Sequence, residues 1–179
     1  MKHWTALAAT AAALVVTAAG TTAASAMGTG NPYQDHQVGV GYLVYQPSFV
    51  AGLGIQHVGR DQMCPPGVDE SLTAVYGKHS GRQFTLNEGN PMCYDIGNGQ
   101  AVLTTTINGA KATVEAYCDP ASGKACTASD VAKYGGNLKV TLPGKGSLSP
   151  TQIWIETFGK KNLSAQQLVQ IAKGLAPAG

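Results

Sequence analysis

Charge is scarce in this sequence. Only 12% of its 179 residues are Asp, Glu, Lys or Arg, about half the usual quarter of a globular chain. A chain kept unfolded by self-repulsion needs far more. No long block of like charge occurs, which excludes an acidic or basic tail. The formal net charge is +2. Nucleic-acid binding needs a clustered basic footprint, so no nucleic-acid partner is expected. Several chemical signatures are missing too. There is no Gly-x-Ser-x-Gly elbow to expose a strained serine nucleophile. There is no Cys-x-x-Cys and no paired Cys/His spacing, which argues against zinc and against a redox dithiol. No segment has the spacing of a calcium loop or a phosphate-binding loop. Hence no cofactor and no metal is expected.

The chain opens with one apolar stretch. Lys2 gives a positive start, Ala6 to Gly20 is mostly apolar, and Ala24-Ser25-Ala26 fits the small-x-small rule. Residues 1–26 therefore read as a secretory signal peptide, cleaved after Ala26. The strongly apolar part is shorter than the roughly 20 residues that span a bilayer. Thr5, Thr10 and Thr17 dilute it further. No later stretch is apolar enough to cross a membrane. The expected product is released outside the cell without a membrane anchor.

Cys64, Cys93, Cys118 and Cys126 follow the leader. An even count in an exported chain predicts disulfides, and four cysteines allow three pairings. Asp119-Pro120 and Ser122-Gly123 are turn signals that bring Cys118 and Cys126 together. Pro65-Pro66 and Pro91 place turns beside Cys64 and Cys93. The favoured pairs are Cys64–Cys93 and Cys118–Cys126. A free thiol nucleophile is then absent.

Residues 27–37 lack any period and read as a flexible lead-in. Residues 38–179 read as a single disulfide-braced domain. Val38 to Gln46 alternates as a strand does, and Pro47 stops it. Further short strands are predicted within Phe49–Val58, Leu72–Tyr76 and Gln83–Leu86. Asn108-Gly109 joins Ala101–Ile107 to Ala110–Cys118, the strongest short-range hairpin signal. That turn sets Ile107 opposite Ala110, Thr105 opposite Ala112 and Leu103 opposite Val114. These residues are assigned to the core side, with Thr104, Thr106, Lys111, Glu115 and Tyr117 on the solvated side. Asn137–Leu142 and Gln152–Phe158 are the last strands, with Ile153 and Ile155 on one face and Trp154 on the other.

One helix is predicted, after Ser164. Ser164 and Gln167 form a capping box, and Leu163 with Leu168 a hydrophobic staple. Leu168, Ile171 and Leu175 repeat at helical spacing, and Gly174 and Pro177 end the element. A helix this short needs a surface to pack on. The predicted fold class is α+β: an antiparallel sheet of about six or seven strands with one C-terminal amphipathic helix against it.

A family resemblance rests on short segments in this order. They are Tyr42-Leu43-Val44-Tyr45-Gln46-Pro47, Ile107-Asn108-Gly109-Ala110-Lys111-Ala112, Leu142-Pro143-Gly144, Ile153-Trp154-Ile155-Glu156 and the helix from Leu163 to Leu175. Over roughly residues 40–175 the layout resembles small extracytoplasmic domains of unknown function in Gram-positive bacteria. Some of these are attached to anti-sigma or lipoprotein-like proteins. The resemblance supplies no catalytic residues, and the four cysteines depart from it.

Catalytic constellations are hard to assemble. His79-Ser80-Gly81 reads as a solvated turn rather than part of a triad. The sparse acids, Glu88 among them, read mostly as turn formers rather than a glycosidase pair. The aromatic residues on strands give a different lead. Tyr117 and Trp154 are the candidate partner contacts, because the hairpin register and the strand alternation turn both away from the core. The leading expectation is a secreted, non-enzymatic binding domain for an extracellular protein or cell-wall partner, in its sharper form a hydrolase inhibitor. A carrier of a small apolar ligand and a small secreted hydrolase are the alternatives.

Overall fold

A computed structural model of the chain describes residues 28–61, 64–93, 96–118 and 123–179. The expected signal peptide and the Asp119-Pro120 turn lie outside the described residues. The elements are α1 (Pro32–Gln37), β1 (Tyr45–Pro47), β2 (Ile55–Asp61), β3 (Ser71–Gly77), β4 (Gln83–Gly89), β5 (Gln100–Ile107), β6 (Ala110–Ala116), α2 (Asp130–Tyr134), β7 (Gly136–Leu142), β8 (Thr151–Thr157), α3 (Ala165–Lys173) and β9 (Leu175–Pro177). Seven strands form one antiparallel sheet in the order β2-β3-β4-β8-β7-β6-β5, and β1 pairs with β9 beside it. The α+β class is as the sequence predicted. Among the described residues, no helix is long and apolar enough to cross a membrane.

Strand alternation builds the core. Ala74, Leu86, Ile155, Leu138 and Val114 stand in register across five strands, and all are fully buried. Burying one large aliphatic side chain of this kind contributes about 1.5–3 kcal/mol. Leu168 and Ile171 of α3 join this cluster, as the helical stripe required, whereas Leu175, the third residue of that stripe, is buried from β9. The capping box is present: Gln167 N–H donates to the Ser164 hydroxyl, and Ser164 N–H donates to the Gln167 side chain. Ser164→Ala is expected to lose about 1 kcal/mol. That corresponds to roughly 2–4 °C in a thermal melt for a chain of this size.

The predicted hairpin is formed with its predicted register, Ile107 opposite Ala110 and Leu103 opposite Val114. Asn108 and Gly109 have φ of 47° and 84°, as a type I′ turn requires. Ile107, Ala112 and Val114 are buried, but Leu103 is 36% exposed. It lies on the outermost strand of the sheet. Both favoured disulfides are present, Cys64–Cys93 and Cys118–Cys126, with Cα separations of 5.1 and 5.8 Å.

Four segments differ from the sequence reading: Asp130–Tyr134 forms a helix that was not expected, Leu175–Pro177 is a strand rather than the end of the C-terminal helix, and two lie near the start of the domain. Residues 27–37 were expected to be a flexible lead-in, yet Pro32–Gln37 is helical. The Asn31 side chain caps it by accepting from Tyr33 N–H, and the Tyr33 ring is buried. Val38 to Gln46 was expected as a strand, but only Tyr45–Pro47 pairs as one. The rest begins with a turn at Val38-Gly39 and continues without a strand partner, apart from a single bridge from Tyr42 to Ser149. Val40, Tyr42, Leu43 and Val44 are buried there, so the apolar content was real. Its backbone bonds go elsewhere: Leu43 N–H to Ser149, Val44 N–H to the Gln37 side chain, Tyr45 N–H to Glu88.

Candidate functional site

The sheet face opposite the core carries the most developed polar arrangement. Strand pleating places Glu115 of β6, Asn137 of β7 and Glu156 of β8 in one row. The adjacent row holds Thr113, Lys139, Trp154, Asn87 and Thr73. Tyr117 follows β6 and leans over the first row. Its hydroxyl donates to Glu156 at 2.5 Å and accepts from the Asn137 amide at 3.3 Å. That same amide lies 3.3 Å from Glu115, which accepts from Lys139 at 3.0 Å. The Lys139 ammonium stands 5.5 Å from the centre of the Trp154 ring.

Sequence reasoning had singled out Tyr117 and Trp154, and the fold puts both on this face, half-buried. It missed Asn137 and Lys139, whose positions follow only from the β6–β7–β8 pairing. Burial raises the Tyr117 pKa, and donation to Glu156 raises it further. The phenol therefore stays protonated and keeps its donor role across ordinary pH.

A strap made from the β4–β5 connection crosses this face. Met92 N–H donates to the Gln152 side chain, and the Gly97 carbonyl accepts from Asn137. The Cys64–Cys93 bridge ties the strap to the β2–β3 connection. Gly97 lies close to the Tyr117 ring: an added Cβ would meet it at 3.3 Å. Ile96 is buried, though apart from the main core cluster. Asn137 and Asn87 are fully buried, yet among the described residues Oδ1 of the first and Nδ2 of the second have no hydrogen-bond partner.

Glu115 and Glu156 flank Asn137 in register, the placement a catalytic carboxylate pair would need to be tested against. Each already has a partner, however: Lys139 for the first and Tyr117 for the second. They brace the row. His79 and Ser80 lie exposed in the β3–β4 turn, as predicted. Among the described residues no cluster of three His, Cys, Asp or Glu could hold a metal. No family model, no curated protein and no solved structure matches this chain.

Clefts lie at the edges. One of about 290 Å³ sits against the Cys118–Cys126 bridge, beside Lys124, Asp130 and Tyr134. Another, of about 450 Å³, lies near the hairpin turn and Pro143. Between sheet and α3 the space is filled by fully buried side chains such as Leu138, Ile153, Leu168 and Ile171.

Proposed function

We propose that this chain is a secreted, non-enzymatic binding domain that engages an extracellular protein or cell-wall partner through the face around Tyr117 and Trp154. The observation that carries this reading is the fixed Glu115–Asn137–Tyr117–Glu156 network beside a half-exposed indole. Aromatic residues rimmed by polar groups supply most of the energy in many interfaces. A surface already held in one geometry loses little entropy on binding. Two disulfides and the signal-like leader support export. So does the likeness in layout to extracytoplasmic domains. The filled interior gives the carrier reading no support.

The test is capture by the immobilised, oxidised protein from extracellular proteins and cell-wall fragments of its host. Trp154→Ala is expected to weaken the captured complex about thirtyfold or more, as truncating a hot spot of roughly 2 kcal/mol does. Tyr117→Phe keeps the ring and removes only the hydroxyl's bonds to Glu156 and Asn137, so a smaller loss is expected. Lys145→Ala, in the exposed β7–β8 connection, serves as the control. Saturable binding that ignores both aromatic substitutions would overturn the assignment to this face. Turnover of a substrate without any saturable partner would overturn the binding function itself.

A further inference from the structure

The margins of the two sheets are protected unequally. Pro47 and Pro177 stand at the ends of the small β1–β9 sheet and cannot donate to a further strand. On the large sheet, β2 has a register shift at Ile55/His57 and carries His57 and Arg60. Helix α1 packs against it, and the Arg60 guanidinium donates to the carbonyls of His36 and Val38. These are the usual devices that stop a sheet from adding strands. The opposite margin is β5, Gln100-Ala101-Val102-Leu103-Thr104-Thr105-Thr106-Ile107. It has no charge and no proline. Among the described residues its only strand partner is β6. Ala101, Leu103, Thr104 and Thr106 are exposed. Its one irregularity, between Ala101 and Leu103, leaves Leu103–Ile107 regular.

We propose that β5 is a dimerisation edge, on which a second copy of this chain lays its own β5 antiparallel about a two-fold axis at Thr105. The register decides which groups are available. A two-residue turn makes Ile107 and Ala110 a mutually hydrogen-bonded pair. Leu103, Thr105 and Ile107 therefore bond inward to β6, and Thr104 and Thr106 direct N–H and C=O outward. A two-fold axis at Thr105 sets Thr104 of each copy against Thr106 of the other. All four outward-facing residues then exchange their backbone bonds. Leu103 of one copy meets Ile107 of the other on the core side. Paired threonines and paired aliphatic residues are favourable cross-strand neighbours. No charge lies opposite a like charge anywhere along the pairing, so the strand is complementary to itself. A charged peptide would find nothing on β5 to complement it. The inference is independent of the face around Trp154 and adds an assembly to it.

Sedimentation equilibrium of the oxidised protein tests this directly. A concentration-dependent monomer–dimer equilibrium is expected. Thr104→Lys with Thr106→Lys places like charges opposite each other and is expected to leave only monomer, with an unchanged circular dichroism spectrum. Thr104→Lys with Thr106→Glu places Lys opposite Glu twice and is expected to restore the dimer. Monomer at every concentration would overturn the proposal. So would a dimer that persists in the double-lysine variant, or a foreign segment found paired to β5.

Discussion

Stability is expected to be greatest in mild acid and to fall as the pH rises above 4.5, because of Glu88. Its carboxyl lies on the core side of β4, fully buried, between Leu72 of β3 and Ile153 of β8. One oxygen accepts from Tyr45 N–H at 2.8 Å, and the other has no partner among the described residues. Tyr33, Tyr42, Tyr45 and Tyr76 are near enough for its charge to raise their own pKa values. Among the described residues it forms no ion pair. Burial holds the Glu88 pKa well above 4.5, and the Tyr45 bond offsets this only in part. The sign follows by linkage. Above the unfolded pKa, the unfolded chain has released the proton and the folded chain still holds it. Raising the pH then favours unfolding, by up to about tenfold in the equilibrium constant per pH unit, until the folded pKa is reached. Asp130 acts in the opposite sense. Hydrogen bonds from Thr127 lower its pKa below 3.8, so that contribution is lost as the medium becomes more acid.

Glu88→Gln separates titration from packing. The amide keeps an acceptor for Tyr45 N–H and cannot ionise. Its denaturant midpoint is expected to lose the decline from mild acid to mild alkali, leaving the opposite trend of His36, whose pKa burial lowers, and to exceed that of the parent at the alkaline end. Glu88→Ala removes the acceptor as well. It is expected to lose about 1–3 kcal/mol for the orphaned Tyr45 N–H, with a further loss from the cavity. A Glu88→Gln curve parallel to that of the parent would show that Glu88 does not set the dependence.

Why Glu88 escaped a sequence reading is instructive. The acids were read as turn formers from their neighbours, and Glu88 precedes Gly89-Asn90-Pro91. Yet Phe84, Leu86 and Glu88 share one strand parity, and that parity faces the core. Alternation carried the information, and residue type obscured it. The hairpin and α3 were legible because their signals are local: a dipeptide that needs positive φ, and a cap three residues from its partner. Both disulfide pairs were legible for a similar reason, since turn residues flank each cysteine. Helix α1 was not, because its stability rests on burying one ring, Tyr33, whose hydroxyl meets that of Tyr76 at 2.6 Å. A six-residue helix has little periodicity to detect. The Val38–Gln46 segment shows the same limit. Its burial was evident, but only the fold determines whether such a segment pairs in a sheet or runs without a strand partner. At the candidate site, Tyr117 and Trp154 came from parity alone. The Glu115–Lys139 pair required knowledge of which strands are neighbours.

The largest loss from a single methyl group is expected at Gly77. This residue ends β3 with φ of 84°, where an L side chain is strained. Its N–H donates to the Gly54 carbonyl, and Lys78 N–H bonds Arg82 across the turn. A Cβ added here would lie 2.1 Å from the Arg82 carbonyl oxygen, a backbone atom that cannot rotate aside. Gly77→Ala therefore combines dihedral strain with a forced shift of the turn, together about 3 kcal/mol or more. For a chain of this size the melting temperature should fall by roughly 6–12 °C. Gly109 provides the comparison, because its φ is also 84° but nothing lies within 4 Å of the added Cβ. Gly109→Ala should show only the dihedral component, about 1–2 kcal/mol. Equal losses at the two positions would mean that the β3–β4 turn yields freely. That outcome would matter beyond the turn itself, because this hairpin sets Leu72 opposite Glu88. A strand has a side-chain period of two, so a one-residue slip in β4 would turn Glu88 to the open face and Asn87 into the core. A Gly77 variant that survives by slipping should thus lose the pH dependence assigned to Glu88, whereas one that is merely strained should keep it at lower overall stability.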